Sequence, residues 1–104
     1  QGRKIAVLGG MFELGQYEKQ GHELVGLRAA EVAERLITYG PLAELISNAA
    51  VNAGMPSSRM SHFNEFSEIV ANLQQTLQEG DVVLVKGSHG LRMDRIVAAL
   101  EETE

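Results

Sequence analysis

The sequence predicts a three-layer α/β domain built on a four-stranded, mainly parallel sheet. Three observations predict it. Short apolar runs alternate with longer segments whose apolar residues recur at helical spacing, in the order βαβαβαβα. Each interval between apolar runs is long enough for the crossover that parallel neighbours need. The chain has 104 residues, which suits one domain, residues 1–104, and is too short for two.

The first strand is predicted at Lys4 to Leu8 (KIAVL), ending in Gly9-Gly10. A glycine-studded connection runs from Gly9 to Gly21, and connections of that length in small domains are usually functional. A helix is predicted over His22 to Arg35, with Val25, Ala29, Val32, Ala33 and Leu36 on one stripe. Leu36 to Tyr39 is the second strand, closed by Gly40, and Pro41 suits the first turn of the next helix. That helix turns Leu42, Leu45, Ile46, Ala49, Ala50 and Ala53 inward, and Gly54 and Pro56 end it.

Met60 to Phe63 alternates and is the weakest strand. Ser67 is the expected N-cap of a third helix carrying Val70, Leu73 and Leu77, with Gly80 beyond it. Val82 to Val85 (VVLV) is the clearest strand and runs into Lys86-Gly87-Ser88-His89-Gly90. The last helix carries Met93, Ile96, Val97 and Leu100. Near-continuous apolar strands fit a sheet covered on both faces, with right-handed crossovers, which is a Rossmann-like arrangement.

Composition narrows the function. Hydrophobic residues are 44% and charged residues 22%, which excludes a disordered or low-complexity chain. The absence of cysteine excludes disulfides, thiolate metal sites and cysteine nucleophiles. A net charge of -5 with no basic stripe, and only 5% aromatics, argues against nucleic-acid partners. Glu101, Glu102 and Glu104 read as a solvated acidic tail. No apolar run approaches the ~18 residues of a membrane span, and no secretory leader is visible, so no membrane association and a cytoplasmic location are expected.

Ligands of open parallel sheets bind beyond the carboxyl ends of the strands. Two loops there stand out. KGSHG joins the strongest strand to a helix, whose N-terminus favours anions. Gly87 and Gly90 allow close backbone approach, Lys86 adds a positive charge and Ser88 a hydroxyl, so a carboxylate or phosphate is the natural guest. The plainer reading is a helix cap with a surface lysine. The first loop, GGMFELG, sets Glu13 among glycines ahead of His22. His22 is expected to cap the helix, orient a loop carboxylate or serve the core. A single carboxylate makes no metal site, so no metal is expected on this chain. His62 reads as structural, and His89 has no evident acid or base partner.

No phosphate loop G-x-x-x-x-G-K-[ST], dinucleotide fingerprint, H-E-x-x-H or G-x-S-x-G is present. No catalytic residue is therefore assigned, and the chain reads as part of a site.

RKIAVLGGMFELG, with His22 and Val25-Gly26 after it, resembles the core of the C-terminal domain of the Mur ligases. GDVVLVKGSHGLRMDRIVAAL resembles that family's last strand, substrate loop and final helix. The resemblance spans about residues 2 to 101 and is weakest between 40 and 79. It implies a three-domain amide ligase, in which a central domain binds ATP and Mg and an N-terminal domain binds the UDP-sugar peptide. The C-terminal domain would bring the acceptor, for which the two loops best fit D-alanyl-D-alanine, to be joined to UDP-N-acetylmuramoyl-tripeptide in peptidoglycan synthesis.

Carried over by motif, Lys86, Gly87, Ser88, Glu13 and His22 are the expected substrate-binding residues. Gly9, Gly10, Met11, Leu14, Gly15 and His89 are expected to shape the loops. Gly10 stands where the family usually has an acid, and His89 where arginine is common. The family's earlier tyrosine-asparagine-alanine-asparagine-proline segment is absent and position 1 is Gln, so a fragment lacking the domain's first strand and helix, inactive alone, is expected. The alternatives are a free-standing module binding a small anion, and the same domain of a related ligase with another amino-acid acceptor.

Overall fold

The computed structural model describes residues 2–102. It holds the predicted four strands and four helices in the predicted order. β1 (Lys4–Gly9), β2 (Arg35–Tyr39), β3 (Met60–Phe63) and β4 (Val82–Lys86) form one sheet in the order β3-β2-β1-β4. Every neighbouring pair is parallel. Helices α1 (Glu18–Val32), α2 (Glu44–Asn52), α3 (Phe66–Thr76) and α4 (Asp94–Glu102) supply the connections.

Alternation along β1 divides the core. Ala6 and Leu8, with Leu36 of β2, pack against Ala29, Ile46 and Ala50 of α1 and α2. Ile5 and Val7, with Ile37, pack against Ile69 and Leu73 of α3 and Met93 and Ile96 of the α4 side. These are the two faces of a three-layer domain. α1 and α2 pack closely at Gly26, where a Cβ would collide with the Ile46 carbonyl and lie 2.8 Å from Ala49 Cβ.

Element ends differ from prediction for local reasons. α1 covers Glu18–Val32 rather than His22 to Arg35, because a 3-10 turn at Gly15–Tyr17 feeds the chain into the helix early. Its inner face is His22, Gly26 and Ala29, while Val32 is exposed and Leu36 already belongs to β2. A turn through Pro41 precedes α2, with Glu44 N–H donating to the Pro41 carbonyl. α3 begins after Glu65, so Ser67 lies inside the helix instead of capping it. Glu101 and Glu102 belong to α4 and are not a tail, because the apolar spacing of Ile96 and Leu100 carries the helix through them. Glu104 lies outside the described residues.

The largest departure concerns coverage. Val82 and Leu84 of β4 are 62% and 57% exposed, on the face that α1 and α2 cover elsewhere. β4 is an edge strand next to β1, and α1 and α2 sit over β1 and β2. An apolar hollow of about 220 Å³, lined by Ile5, Ala6, Val32, Ala33, Val82 and Leu84, runs along this bare stretch. At the N-terminal end of β4, Asp81 clasps β1. The Arg3 guanidinium grips its carboxylate through Nε at 3.2 Å and a terminal nitrogen at 2.7 Å. The Arg3 and Gln78 backbone N–H groups donate to the same carboxylate.

Candidate functional site

β1 and β4 are adjacent, with Leu8 in register with Lys86, so the loops leaving them rise side by side at the carboxyl end of the sheet. They are stitched together. Ser88 N–H donates to the Gly10 carbonyl at 3.1 Å. Phe12 N–H donates to Ser88 Oγ at 2.7 Å. The Phe12 ring lies against Gly90, where a Cβ would sit 3.3 Å from it.

Gly9 and Gly87 are small for a reason the sequence did not reveal. A Cβ on either would strike the Met93 side chain, so both let the two loops pack on Met93. Gly10 is buried, and a Cβ there would lie 2.7 Å from Leu42 Cβ. An acidic side chain at position 10 therefore requires Leu42 to move.

Two hollows share Lys86, Gly87 and Ser88 as a common wall. One, of about 380 Å³, also meets Gly9 and Met11 and is floored by Leu8, Val25, Ile46 and Leu84. The other, of about 820 Å³, continues along α4 past Arg92, Asp94, Val97 and Glu101. Lys86 is exposed and, among the described residues, has no carboxylate within ion-pair distance.

The expected anion site is built differently from the sequence reading. KGSHG does not run straight into the last helix. A 3-10 turn at His89–Leu91 and the residues Arg92 and Met93 intervene, so α4 starts only at Asp94. Asp94 occupies that helix's first turn and pairs with Arg92 at 3.0 Å, which holds the Asp94 carboxyl below its ordinary range. The helix end is thus already matched by a carboxylate, which leaves Lys86 as the cation without a carboxylate partner beside the two hollows, among the described residues. Ser88 Oγ accepts from Phe12, so its own proton is directed elsewhere and can be donated.

His22 is fully buried, five residues into α1 rather than at its cap. Its Nε2 accepts from Met11 N–H at 2.9 Å and its Nδ1–H donates to the Glu18 carbonyl at 2.6 Å. It presents no free nitrogen to a ligand and orients no carboxylate; it holds the loop backbone. Glu13 and Arg92 flank the two loops with φ of +67° and +53°, the left-handed region that side chains avoid. Glu13 is exposed and lines neither hollow. Leu14 and Gly15 lead into the turn before α1, and the His89 side chain lies outside the described residues.

His62 shares a 2.7 Å hydrogen bond with buried Thr38, in keeping with a structural role. Among the described residues, no group of three His, Asp or Glu side chains is placed to hold a metal ion. No step through ATP or Mg is assigned to these residues. No described helix is long and apolar enough to cross a membrane.

Sequence reasoning missed Phe12, Met93 and the apolar floor of Val25, Ile46 and Leu84. Phe12 and Met93 act through a backbone N–H and a contact with glycine, which leave no mark in a motif.

The family model described as "Mur ligase, glutamate ligase domain" matches residues 1–89. The chain is 32% identical over 103 residues to the UDP-N-acetylmuramoyl-tripeptide--D-alanyl-D-alanine ligase of Bacillus subtilis, covering 98% of this chain and 22% of that protein. The Escherichia coli protein of the same name is 32% identical over 105 residues, covering 97% and 22%. Among solved structures, the MurF ligase of Thermotoga maritima in complex with ADP superposes with a TM-score of 0.78 at 30% identity, covering 98% of this chain and 22% of that one. MurF from Acinetobacter baumannii gives 0.77 at 29%, covering 98% and 23%. The chain spans about a fifth of the length of the curated relatives it matches.

Proposed function

The chain belongs to the Mur ligase family by its C-terminal, glutamate ligase domain, and from that membership we propose that it is the acceptor-binding domain of an ATP-dependent amide ligase. The ligase joins D-alanyl-D-alanine to UDP-N-acetylmuramoyl-tripeptide in peptidoglycan synthesis, in the cytoplasm. ATP and Mg act elsewhere in that longer protein. Residues 1–104 belong to one of its domains and form no amide alone.

The observation that carries this reading is the wall of Lys86, Gly87 and Ser88 between two hollows, with a lysine that has no carboxylate partner among the described residues and a hydroxyl whose proton is left free to donate. That wall suits the carboxylate of a dipeptide whose amine must stay free. The apolar floor at Leu8 and Val25 suits its methyl groups. The domain's own contribution is orientation: it fixes the carboxylate end so that the amine meets the activated carboxyl of the tripeptide.

The bare face of β4 supports the domain reading. α1 and α2 lie on one face as the chain steps from β1 to β2 to β3. A strand beyond β4 leading into β1 would travel along the sheet in that same direction. The right-handed rule puts its crossover helix on the same face, over Val82 and Leu84.

The test is Lys86→Ala in the full-length ligase that carries this domain. The Michaelis constant for D-alanyl-D-alanine should rise with a loss of roughly 1.5–3 kcal/mol, while that for ATP holds. An unchanged dipeptide constant removes Lys86 from the site. Glutamate or aspartate outcompeting the dipeptide reassigns the acceptor.

A further inference from the structure

We infer that His22 is a positioning residue, which sets the two-loop wall from beneath through the backbone of Met11. A backbone N–H can only donate, so the 2.9 Å bond from Met11 requires an unprotonated Nε2. The 2.6 Å contact to the Glu18 carbonyl requires the proton on Nδ1. The ring is therefore the neutral Nδ1–H tautomer, fully buried, with both nitrogens in use.

A second contact seats the same loop on the same helix. Leu14 Cδ1 lies where a Cβ on Gly21 would be only 2.9 Å away. From that seat the loop reaches across. Phe12 N–H holds Ser88 Oγ, and the Gly10 carbonyl takes the Ser88 N–H. His22 thus touches no ligand, yet the direction of the Ser88 hydroxyl depends on it. The link to acceptor affinity rests on the function proposed above; the link to loop geometry does not.

The experiment is NMR on the full chain, labelled with nitrogen-15, comparing the native protein with His22→Leu and His22→Gln. Glutamine keeps an acceptor near the place of Nε2, and leucine removes it. The native ring should show the Nδ1–H tautomer in its long-range proton–nitrogen correlations. In His22→Leu the Met11, Phe12 and Ser88 amides should exchange roughly fivefold faster or more. The Val7 and Ile37 amides should keep their rates, and His22→Gln should restore the loop.

Affinity for D-alanyl-D-alanine, followed by titration in the same samples, should fall with leucine and return with glutamine. An Nε2–H tautomer in the native protein, or loop exchange unchanged in a folded His22→Leu, overturns the inference. If His22→Leu does not fold, a protected loop in His22→Gln supports the inference and a loosened loop overturns it. Loop loosening in His22→Leu without any dipeptide response in the native protein keeps His22 in this role and removes the dipeptide reading. Dipeptide binding with an indifferent loop does the reverse.

Discussion

Single residues in the two loops combine strain, closeness and charge. Glu13 holds a left-handed backbone at φ +67° on an exposed turn. Glycine carries no penalty there, so Glu13→Gly should raise the melting temperature, with up to about 1–2 kcal/mol of strain relieved. The same variant measures whether the carboxylate contributes to ligand affinity. The sequence marked this loop as unusual through its glycines and its length. It could not show that His22 would be consumed by Met11, because the partner is a backbone group that any residue at position 11 supplies. Lys86 was legible as a cation at a strand end. That it meets no carboxylate among the described residues was not, because Asp94 and Glu101 lie downstream on the helix that follows and only the structure shows Asp94 held by Arg92.

Elements were legible in kind and order, and less so at their ends. β1 and β4 are apolar runs too short for anything but strands, and they fall where KIAVL and VVLV predict. The start of α1 was missed by four residues, because nothing in Gln16-Tyr17-Glu18 is apolar enough to mark a core-facing turn. Helix spacing did place Gly26 inside α1, where it serves the contact with α2. Gly26→Ala should destabilise the chain by roughly 1–3 kcal/mol in a urea titration, because the Ile46 carbonyl cannot yield as a side chain can.

The clasp between β1 and β4 gives an expectation for pH. The hydrogen bonds of Arg3, then that of the Gln78 backbone, hold the Asp81 carboxyl well below the usual carboxylate range. A depressed folded value means that its stabilisation is complete above the unfolded value of about 4 and fades as pH falls below it. Urea midpoints should therefore be level above about pH 5 and decline in acid. Asp81→Asn should be weaker at neutral pH and show a shallower acid decline.

At the scale of the molecule, the parallel three-layer plan followed from alternation alone. The bare side of β4 did not, because VVLV is as apolar as a strand covered on both faces. Exposure is set by what lies beside a strand, and that is a property of the assembly. Leu84→Lys tests the assignment of this face. In the present chain, with 57% of Leu84 in water, the change should shift stability by no more than about 0.5 kcal/mol. In a longer ligase whose own helix covers the face, it should cost about 2 kcal/mol or more.

The strand order also bears on how the chain is made. β1 is an interior strand, and its partner on one side, β4, is the last of the four to be synthesised, with Arg3 and Asp81 separated by 78 positions. Until Val82 to Lys86 leave the ribosome, β1 has an open edge and Ile5 and Val7 lack the Met93 and Ile96 that finish their layer. Contacts this distant are slow to close, and open strand edges recruit other chains. A nascent chain arrested before residue 82 should be cut readily by protease, and one extended past α4 should resist. The loops that form the wall at Lys86 thus exist only once the last fifth of the chain has joined the first.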